Sequence, residues 1–218
     1  MTDITLPSKS DRTSRAILDS AYGLFASQGY AATSMRQIAE SAGLALGGIY
    51  NHFSSKEDIF EAIVLKRHPV YTVLPLLENA QGETLDEYIR NAAHIMIAEL
   101  SKHPEFLNLM LIEMVEFKGQ HAPLLFEKIF PDVMAIARRM AFFQPEMRSI
   151  PQPLLLRAFI GMFVSYFITD MMLNNILLPE MQETALDRFV DIFLNGIKQP
   201  ANGDSFRAVR NLSTPETL

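Results

Sequence analysis

The most constraining feature of this chain is a short Ala-Gly-Leu segment, residues 42–44, between two brief apolar patterns of helical spacing. Ile38 and Ala39 supply the apolar face before the segment, and Ile49 and Phe53 supply the face after it. The glycine suits a tight turn because glycine adopts positive φ angles without a steric penalty. Two short helices joined at a steep angle predict a helix-turn-helix, whose second helix enters the major groove of DNA.

The helices on either side of this motif are marked by their own caps. Apolar residues at positions 17, 21, 24 and 25 share one helical face, and Gly29 ends that helix. Thr33 or Ser34 can cap the next helix, and Ser55 begins a fourth helix that Pro69 ends or kinks. The first 68 residues therefore predict four helices, of which the middle two are very short.

The remainder of the chain also has helical spacing and no alternating strand pattern, so the fold class is predicted to be all-α. The predicted helices lie at about residues 84–102, 104–118, 122–143, 154–177 and 181–197. Residues 1–10 and 199–218 are polar and are predicted to be disordered tails. Between the tails, residues 11–60 are predicted to form one domain and residues 61–198 a larger second domain.

Composition and charge exclude several classes of protein. The 218 residues carry a net charge of −6, which argues against coating nucleic acid through bulk charge but leaves room for locally placed cations. The absence of cysteine excludes disulfides and thiolate metal sites, and it favours a reducing, cytoplasmic location. The start of the chain lacks a signal-peptide pattern. The apolar stretch 154–178 is interpreted as a buried helix, so no membrane partner is expected.

No residue pattern predicts catalysis, a cofactor or a bound metal. The five histidines contain no i, i+3 or i, i+4 pair that could chelate a metal from one helix face. The sequence has no nucleophile elbow, Walker loop or dinucleotide-binding fingerprint. We therefore expect a protein that is not an enzyme, that uses no cofactor and that holds no metal.

Residues from Thr13 to Ile63 follow the pattern of a known family with few gaps. The matching segments are Ile17-Leu18-Asp19-Ser20-Ala21, Leu24-Phe25-Ala26, Gly29-Tyr30, residues 33–44, Gly47, Ile49-Tyr50-Asn51-His52-Phe53 and Ser55-Lys56-Glu57. In these segments the chain resembles the TetR family of bacterial transcriptional regulators. The resemblance implies a three-helix DNA-binding domain with a helix-turn-helix, followed by a helical domain for ligand binding and dimerisation. It also implies a homodimer on a palindromic double-stranded DNA operator, usually a repressor, released when a small-molecule effector binds.

The candidate DNA contacts follow from this match and from side-chain chemistry. Arg36 is the best candidate for direct base reading, although it could instead form a surface salt bridge with Glu40. Lys56, at a helix start, matches a phosphate-facing position, although it could be a solvated residue of the capping turn. His52 could contact DNA or pack at the helix end. The full candidate set is Thr33, Ser34, Arg36, Leu46, Gly47, Gly48, Tyr50, Asn51, His52 and Lys56.

The recognition helix departs from the family at three positions. Many members carry Ser, Lys and Thr where this chain has Ala45, Leu46 and Gly48. The changes remove a capping hydroxyl, a phosphate-binding cation and a base-reading side chain. Leu46 can still touch a thymine methyl, and Gly47 can let the backbone approach DNA, while Gly48 has no explanation. Two functions therefore stay open: an operator-specific repressor, which could read DNA largely by its shape, and a helical module for a ligand or partner that has lost specific DNA binding.

Flexible apolar residues and two polar residues suggest an effector pocket in the second domain, although plain core packing is the alternative for each. The pocket candidates are His94, Met96, Met110, Glu113, Met114, Phe117, Met134, Phe163 and Tyr166. Small residues spaced i, i+3, i+7 on the apolar helix suggest a close helix–helix contact between two subunits. The dimer candidates are Ala158, Gly161, Met162, Ser165, Phe189, Ile192 and Phe193, and a core helix within one chain is the alternative.

Overall fold

A computed structural model describes residues 8–173, 176 and 179–199, and these residues form ten α-helices and no extended strand. This confirms the predicted all-α class. The helices are α1 (Lys9–Gln28), α2 (Met35–Ser41), α3 (Leu46–Tyr50), α4 (Lys56–Arg67), α5 (Val70–Glu78), α6 (Leu85–Leu100), α7 (Phe106–Val115), α8 (Ala122–Ala141), α9 (Gln152–Leu173) and α10 (Pro179–Ile197). A single turn of 3₁₀-helix, Gln144–Glu146, joins α8 to α9.

Side-chain caps fix the starts of four helices. Each capping hydroxyl accepts a hydrogen bond from the backbone N–H three residues later, which satisfies a donor that the helix itself leaves free. In α1 and α2 the third residue also bonds back to the cap, which completes a capping box. The four caps are Ser8, Ser34, Ser55 and Thr84.

The first four helices surround one apolar core. Phe25, Ile38, Ile49 and Phe60 are each no more than 1% exposed within it, and α7 adds further side chains from the second half of the chain. Two predicted boundaries do not coincide with the ends of the helices. Residues 8–10 are the cap and first turn of α1 and are not part of a tail. The boundary predicted between residues 60 and 61 falls inside α4, which runs unbroken to Arg67.

A second core lies among α5, α6, α8, α9 and α10. Tyr88 stacks on Phe143 with ring centroids 5.4 Å apart, and Phe159 meets Phe193 of α10 edge to face at 5.5 Å. Helix α5 was not foreseen in the sequence, because Pro69 and Pro75 lie at its start and in its interior. Pro69 serves as the N-terminal cap, so its missing N–H costs no helical hydrogen bond.

Helix α9 is the one described helix that is long and apolar enough to cross a membrane by length and composition. In this fold its buried side chains include Phe159, Phe163 and Phe167, which pack into the second core. Its opposite face, described below, is exposed.

Candidate DNA-binding surface and ligand cavity

The helix-turn-helix is built around one glycine with a positive φ angle. Gly43 has φ +70°, and its N–H donates to Glu40 O at 3.1 Å. The next residue, Leu44, donates to Ala39 O at 2.8 Å, which closes the end of α2. Ile49 is fully buried and anchors α3 to the core. The short α3 is thus stabilised by burial and by the turn geometry, because its intrinsic helix propensity is weak.

The outer face of α3 is exposed and uncharged. Leu46 is 44% exposed and Tyr50 is 52% exposed, with Gly47 and Asn51 exposed beside them. A Cβ atom added at Gly47 would meet nothing within 4 Å, and one at Gly48 would meet only Leu44 Cβ at 3.8 Å. The folded chain therefore has room for a larger residue at either position, so any requirement for glycine there must come from a bound partner.

The candidates in and just before α2 have different roles in the fold. Thr33 is buried, where its hydroxyl donates to Gly29 O at 2.8 Å and accepts from Gln28 Nε2 at 3.1 Å. Ser34 is exposed and caps α2. Arg36 Nε donates to Glu40 Oε1 at 2.9 Å, which is the alternative considered from the sequence. Both members of this pair are exposed, and such pairs contribute little to stability, so the guanidinium can exchange Glu40 for another anion.

Lys56 forms an internal tie between α4 and the turn that follows α1. Its Nζ donates to Tyr30 O at 2.6 Å and to Thr33 O at 2.7 Å, and it lies 4.1 Å from the centroid of the Tyr30 ring. Partial burial lowers the pKa of this ammonium. The structure thus brings Lys56 to backbone carbonyls, and its predicted phosphate contact stays a prediction. His52 is half-buried at the end of the motif.

Two cations missed in the sequence lie beside the turn. Lys9 and Arg12, both exposed on α1, border a shallow groove of about 370 Å³ together with Ala42 and Leu44. The sequence interpretation assigned residues 1–10 to a disordered tail and gave Arg12 no role. The capping-box spacing from Ser8 to Asp11 was the available signal, because it extends α1 toward the turn and brings these cations with it. They supply positive charge next to a recognition helix that has none.

A cavity of about 540 Å³ lies in the second core, between α8 on one side and α6 and α9 on the other. This volume is within the range of small-molecule sites. Its wall is apolar on α6 (Ile89, Ala92), α8 (Val133, Met134) and α9 (Leu156, Ile160). Tyr88 OH donates to Leu77 O at 3.3 Å, so this hydroxyl is already paired within the wall. The cavity is open to solvent near Phe126 and Phe130, which are 52% and 46% exposed.

Comparison with known proteins identifies the N-terminal unit. The family model described as bacterial regulatory proteins, TetR family, matches residues 17–63. The match begins within α1, contains all of α2 and α3, and ends within α4. Residues 17–63 belong to the TetR family. The match contains the whole TetR-type helix-turn-helix, including the Gly43 turn and all of α3.

Individual relatives match the same region. The HTH-type transcriptional regulator AcrR of Shigella flexneri is 44% identical over 25% of this chain and 26% of its own length. The HTH-type transcriptional repressor KstR2 of Rhodococcus jostii is 46% identical over 22% of this chain and 24% of its own length. The chain thus spans about a quarter of the length of these curated TetR-type relatives.

The whole fold resembles solved structures of TetR-type regulators. One crystal structure from Mesorhizobium loti, assigned to the TetR-family transcriptional regulators, has 25% sequence identity and a TM-score of 0.67. The alignment covers 88% of this chain and 100% of that chain, so it includes the second core as well as the DNA-binding unit.

The predicted pocket set needs correction, because only Met134 among its nine members lines the cavity. Phe117 packs against the core of the TetR-type domain, and Met114 is 62% exposed. Glu113 is bonded to His121, and His94 is exposed beside Asp187. Met96, Met110 and Phe163 pack into the second core away from the cavity wall. Tyr166 is buried on α9 and meets Phe189 edge to face, with ring centroids 5.1 Å apart.

The predicted dimer set divides into two groups. Ala158, Gly161 and Ser165 share one exposed face of α9, of which Gly161 also borders the cavity, and Ile192 of α10 is 60% exposed. The other three are turned inward. Met162 and Phe189 are half-buried, while Phe193 is only 4% exposed and lines the cavity, so it is not available to a second subunit. Within the described part of the chain, no group of three or more His, Asp or Glu side chains could hold a metal ion.

Proposed function

We propose that this protein is a transcriptional repressor that binds a palindromic DNA operator as a homodimer and leaves it when a small apolar or amphipathic ligand binds. The observation that carries the proposal is the combination, in one chain, of a TetR-type recognition helix with an exposed face and an apolar cavity open to solvent. AcrR is a transcriptional regulator and KstR2 a transcriptional repressor, which supports the same class of function for this chain.

In this proposal α3 enters the major groove with Leu46 and Tyr50 facing the DNA. An exposed leucine suits a thymine methyl, and a tyrosine hydroxyl can bond a phosphate. Arg36 would read a base edge after exchanging its bond with Glu40. Lys9 and Arg12 would pair with phosphates beside the groove, because they extend from the same surface as the turn.

The exposed faces of α9 and α10 are the proposed contact between the two subunits. The small residues at 158, 161 and 165 follow Leu154, which is 56% exposed, at helical spacing. Small side chains let two helices approach closely, and a two-fold contact of this kind places two identical recognition helices on one DNA duplex. Half-sites about 34 Å apart would then fall in successive major grooves.

Ligand release is proposed to be a shift between two dimer states. One state spaces the recognition helices for two half-sites, and the ligand favours a state that does not. A coupling free energy of about 1–3 kcal/mol changes operator affinity by about 5- to 150-fold.

The decisive experiment selects DNA from a random pool with the full-length protein and measures binding of the enriched palindrome by gel shift at moderate salt. Tyr50→Ala is expected to weaken specific binding by about tenfold, through loss of a hydrogen bond to phosphate and of a groove contact. Phe142→Ala is the matched control, because Phe142 is 71% exposed and lies far along the chain at the end of α8. The proposal fails if no sequence is enriched and the protein binds random DNA equally well.

A second candidate function is a helical ligand-binding module that has lost specific DNA binding. It is favoured by the uncharged α3, in which Ala45 forms no side-chain cap. Ligand binding without any enriched DNA sequence in the same experiment would support this alternative.

A further inference from the structure

One charged side chain lines the otherwise apolar cavity. Arg157 of α9 is the only ionisable residue besides Tyr88 among the described residues at its wall, and no carboxylate accompanies it. Arg157 is exposed, so the wall also reaches solvent on its α9 side, across from Phe126 and Phe130 of α8. The position is set by the helix: Pro153 and Ile160, one turn to either side, also line the cavity.

Two other arginines on the surface of the described chain illustrate the usual carboxylate pairing. Arg90 contacts Asp187 and Asp191 at 2.7 Å and 2.8 Å, and Arg36 contacts Glu40 at 2.9 Å. Arg157 forms no ion pair with a described residue. Its five N–H donors are therefore available to an anion from outside the chain.

The two surfaces select one kind of ligand when they act together. The apolar wall favours a hydrocarbon chain, because burying each methylene removes apolar surface from water. The guanidinium at the opening favours a carboxylate or phosphate, which it can bind through two parallel hydrogen bonds. Gln152, at the start of the same helix, also lines the cavity, and its Nε2 donates to Ala137 O at 3.4 Å. A cationic head group would be repelled, and a neutral one would forgo the charge-assisted bonds.

We propose that the effector is an anionic amphiphile whose apolar chain occupies the cavity and whose head group pairs with Arg157. This inference rests on the proposed function for its regulatory meaning, but the binding itself does not depend on DNA. The shared chemistry is an apolar chain that ends in an anion, and a fatty carboxylate and an alkyl phosphate both provide it.

The test measures binding of dodecanoate, dodecyl phosphate and dodecanol to the full-length protein by calorimetry. The two anions are expected to bind about five- to tenfold more tightly than the alcohol of equal chain length. Whichever anion binds more tightly identifies the head group. Shortening the chain from twelve to ten carbons should weaken binding by about fourfold per methylene.

Arg157→Gln should abolish the preference for the anions and leave dodecanol binding unchanged. Arg138→Gln is the matched control, because Arg138 is an exposed arginine on α8 that does not line the cavity. Equal binding of dodecanoate and dodecanol by the unchanged protein would overturn the inference, as would an anion preference that survives in Arg157→Gln. Dissociation of the dimer by Arg157→Gln, measured by analytical ultracentrifugation, would also overturn it, because the arginine would then belong to the subunit contact.

A parallel gel shift separates this inference from the proposed function. If dodecanoate binds through Arg157 but does not release operator DNA, the inference stands and ligand-induced release fails. If a neutral apolar compound releases DNA equally well from the unchanged protein and from Arg157→Gln, release stands and the inference fails.

Discussion

Replacing Lys56 by methionine separates an internal role for this residue from a DNA contact. The change removes two charge-assisted hydrogen bonds, to Tyr30 O and Thr33 O, and the contact with the Tyr30 ring. Each hydrogen bond to a charged group is worth about 1.5–3 kcal/mol when well buried, and the cation–π contact about 0.5–1 kcal/mol. Because the ammonium is only partly buried, we expect Lys56→Met to lower the free energy of unfolding by about 2 kcal/mol in total. The melting temperature should fall by about 4–8 °C.

Stability is measured by urea denaturation followed by circular dichroism, and operator binding by fluorescence anisotropy over a salt series. An internal tie predicts weaker binding with an unchanged dependence on salt, because no phosphate contact is lost. A phosphate contact predicts that the slope of log K against log salt becomes shallower by about 0.9. Lys66→Met, on the exposed side of the same helix, controls for the loss of one positive charge. A variant of Lys56 with unchanged stability and a shallower slope would refute the internal role.

Further predictions concern α3 and the end of α4. Gly48→Ala should stabilise the fold by up to about 1 kcal/mol, because the added methyl meets only Leu44 Cβ at 3.8 Å; a lower melting temperature would contradict this. Gly47→Ala should leave the melting temperature unchanged or raise it. A loss of operator affinity in a gel shift would then show that the backbone at Gly47 closely approaches DNA. Unchanged affinity would remove the reason proposed for this glycine. Burial lowers the pKa of His68 to about 4, so its neutral form stabilises the fold fully above about pH 6.5 and this stability is lost as the pH falls toward 4. Between pH 7.5 and 5 the free energy of unfolding, measured by urea titration, should fall by about 2 kcal/mol. His68→Asn should remove that pH dependence, because its amide oxygen can replace Nδ1 as the acceptor for Val70 N–H. The same pH dependence in both proteins would contradict the assignment.

The helix-turn-helix could be predicted because its determinants are local. A hydroxyl cap, a turn glycine and buried residues three and four positions apart all act within one or two turns of helix. Helix α5 could not be predicted in this way. Its Pro75 disfavours a helix locally, but Val73, Leu74 and Leu77 are buried in the second core. Tertiary packing offsets the missing hydrogen bond, and no local pattern reports it.

The cavity residues were largely beyond prediction for a similar reason. Helical periodicity identifies an apolar face but does not say whether that face meets another helix or an empty space. Met96 and Met134 have the same chemistry and similar flanking patterns. The first is buried among packed helices, and the second lines the cavity. Only the arrangement of α8 relative to α6 and α9 distinguishes the two positions.

The turn between α7 and α8 offers a physical route from the cavity to the TetR-type domain. His121, at the start of α8, is fully buried, and its Nδ1 and backbone N–H lie 2.7 Å and 2.8 Å from the Glu113 carboxylate. Phe117 in the same turn stacks on Phe60 of α4 with ring centroids 4.7 Å apart.

The position of this turn ties the movement of α8 to that of α4. The same α8 carries Met134 into the cavity wall, about three and a half turns beyond His121. Because close-packed interiors transmit displacement and do not absorb it, a ligand that pushes α8 outward must either move α4 with it or break the contact between Phe117 and Phe60. The first response would change the position of α4, which packs in the same core as the recognition motif, and so would alter the spacing of the two motifs in the proposed dimer. The second response would leave α4 in place and uncouple it from the cavity.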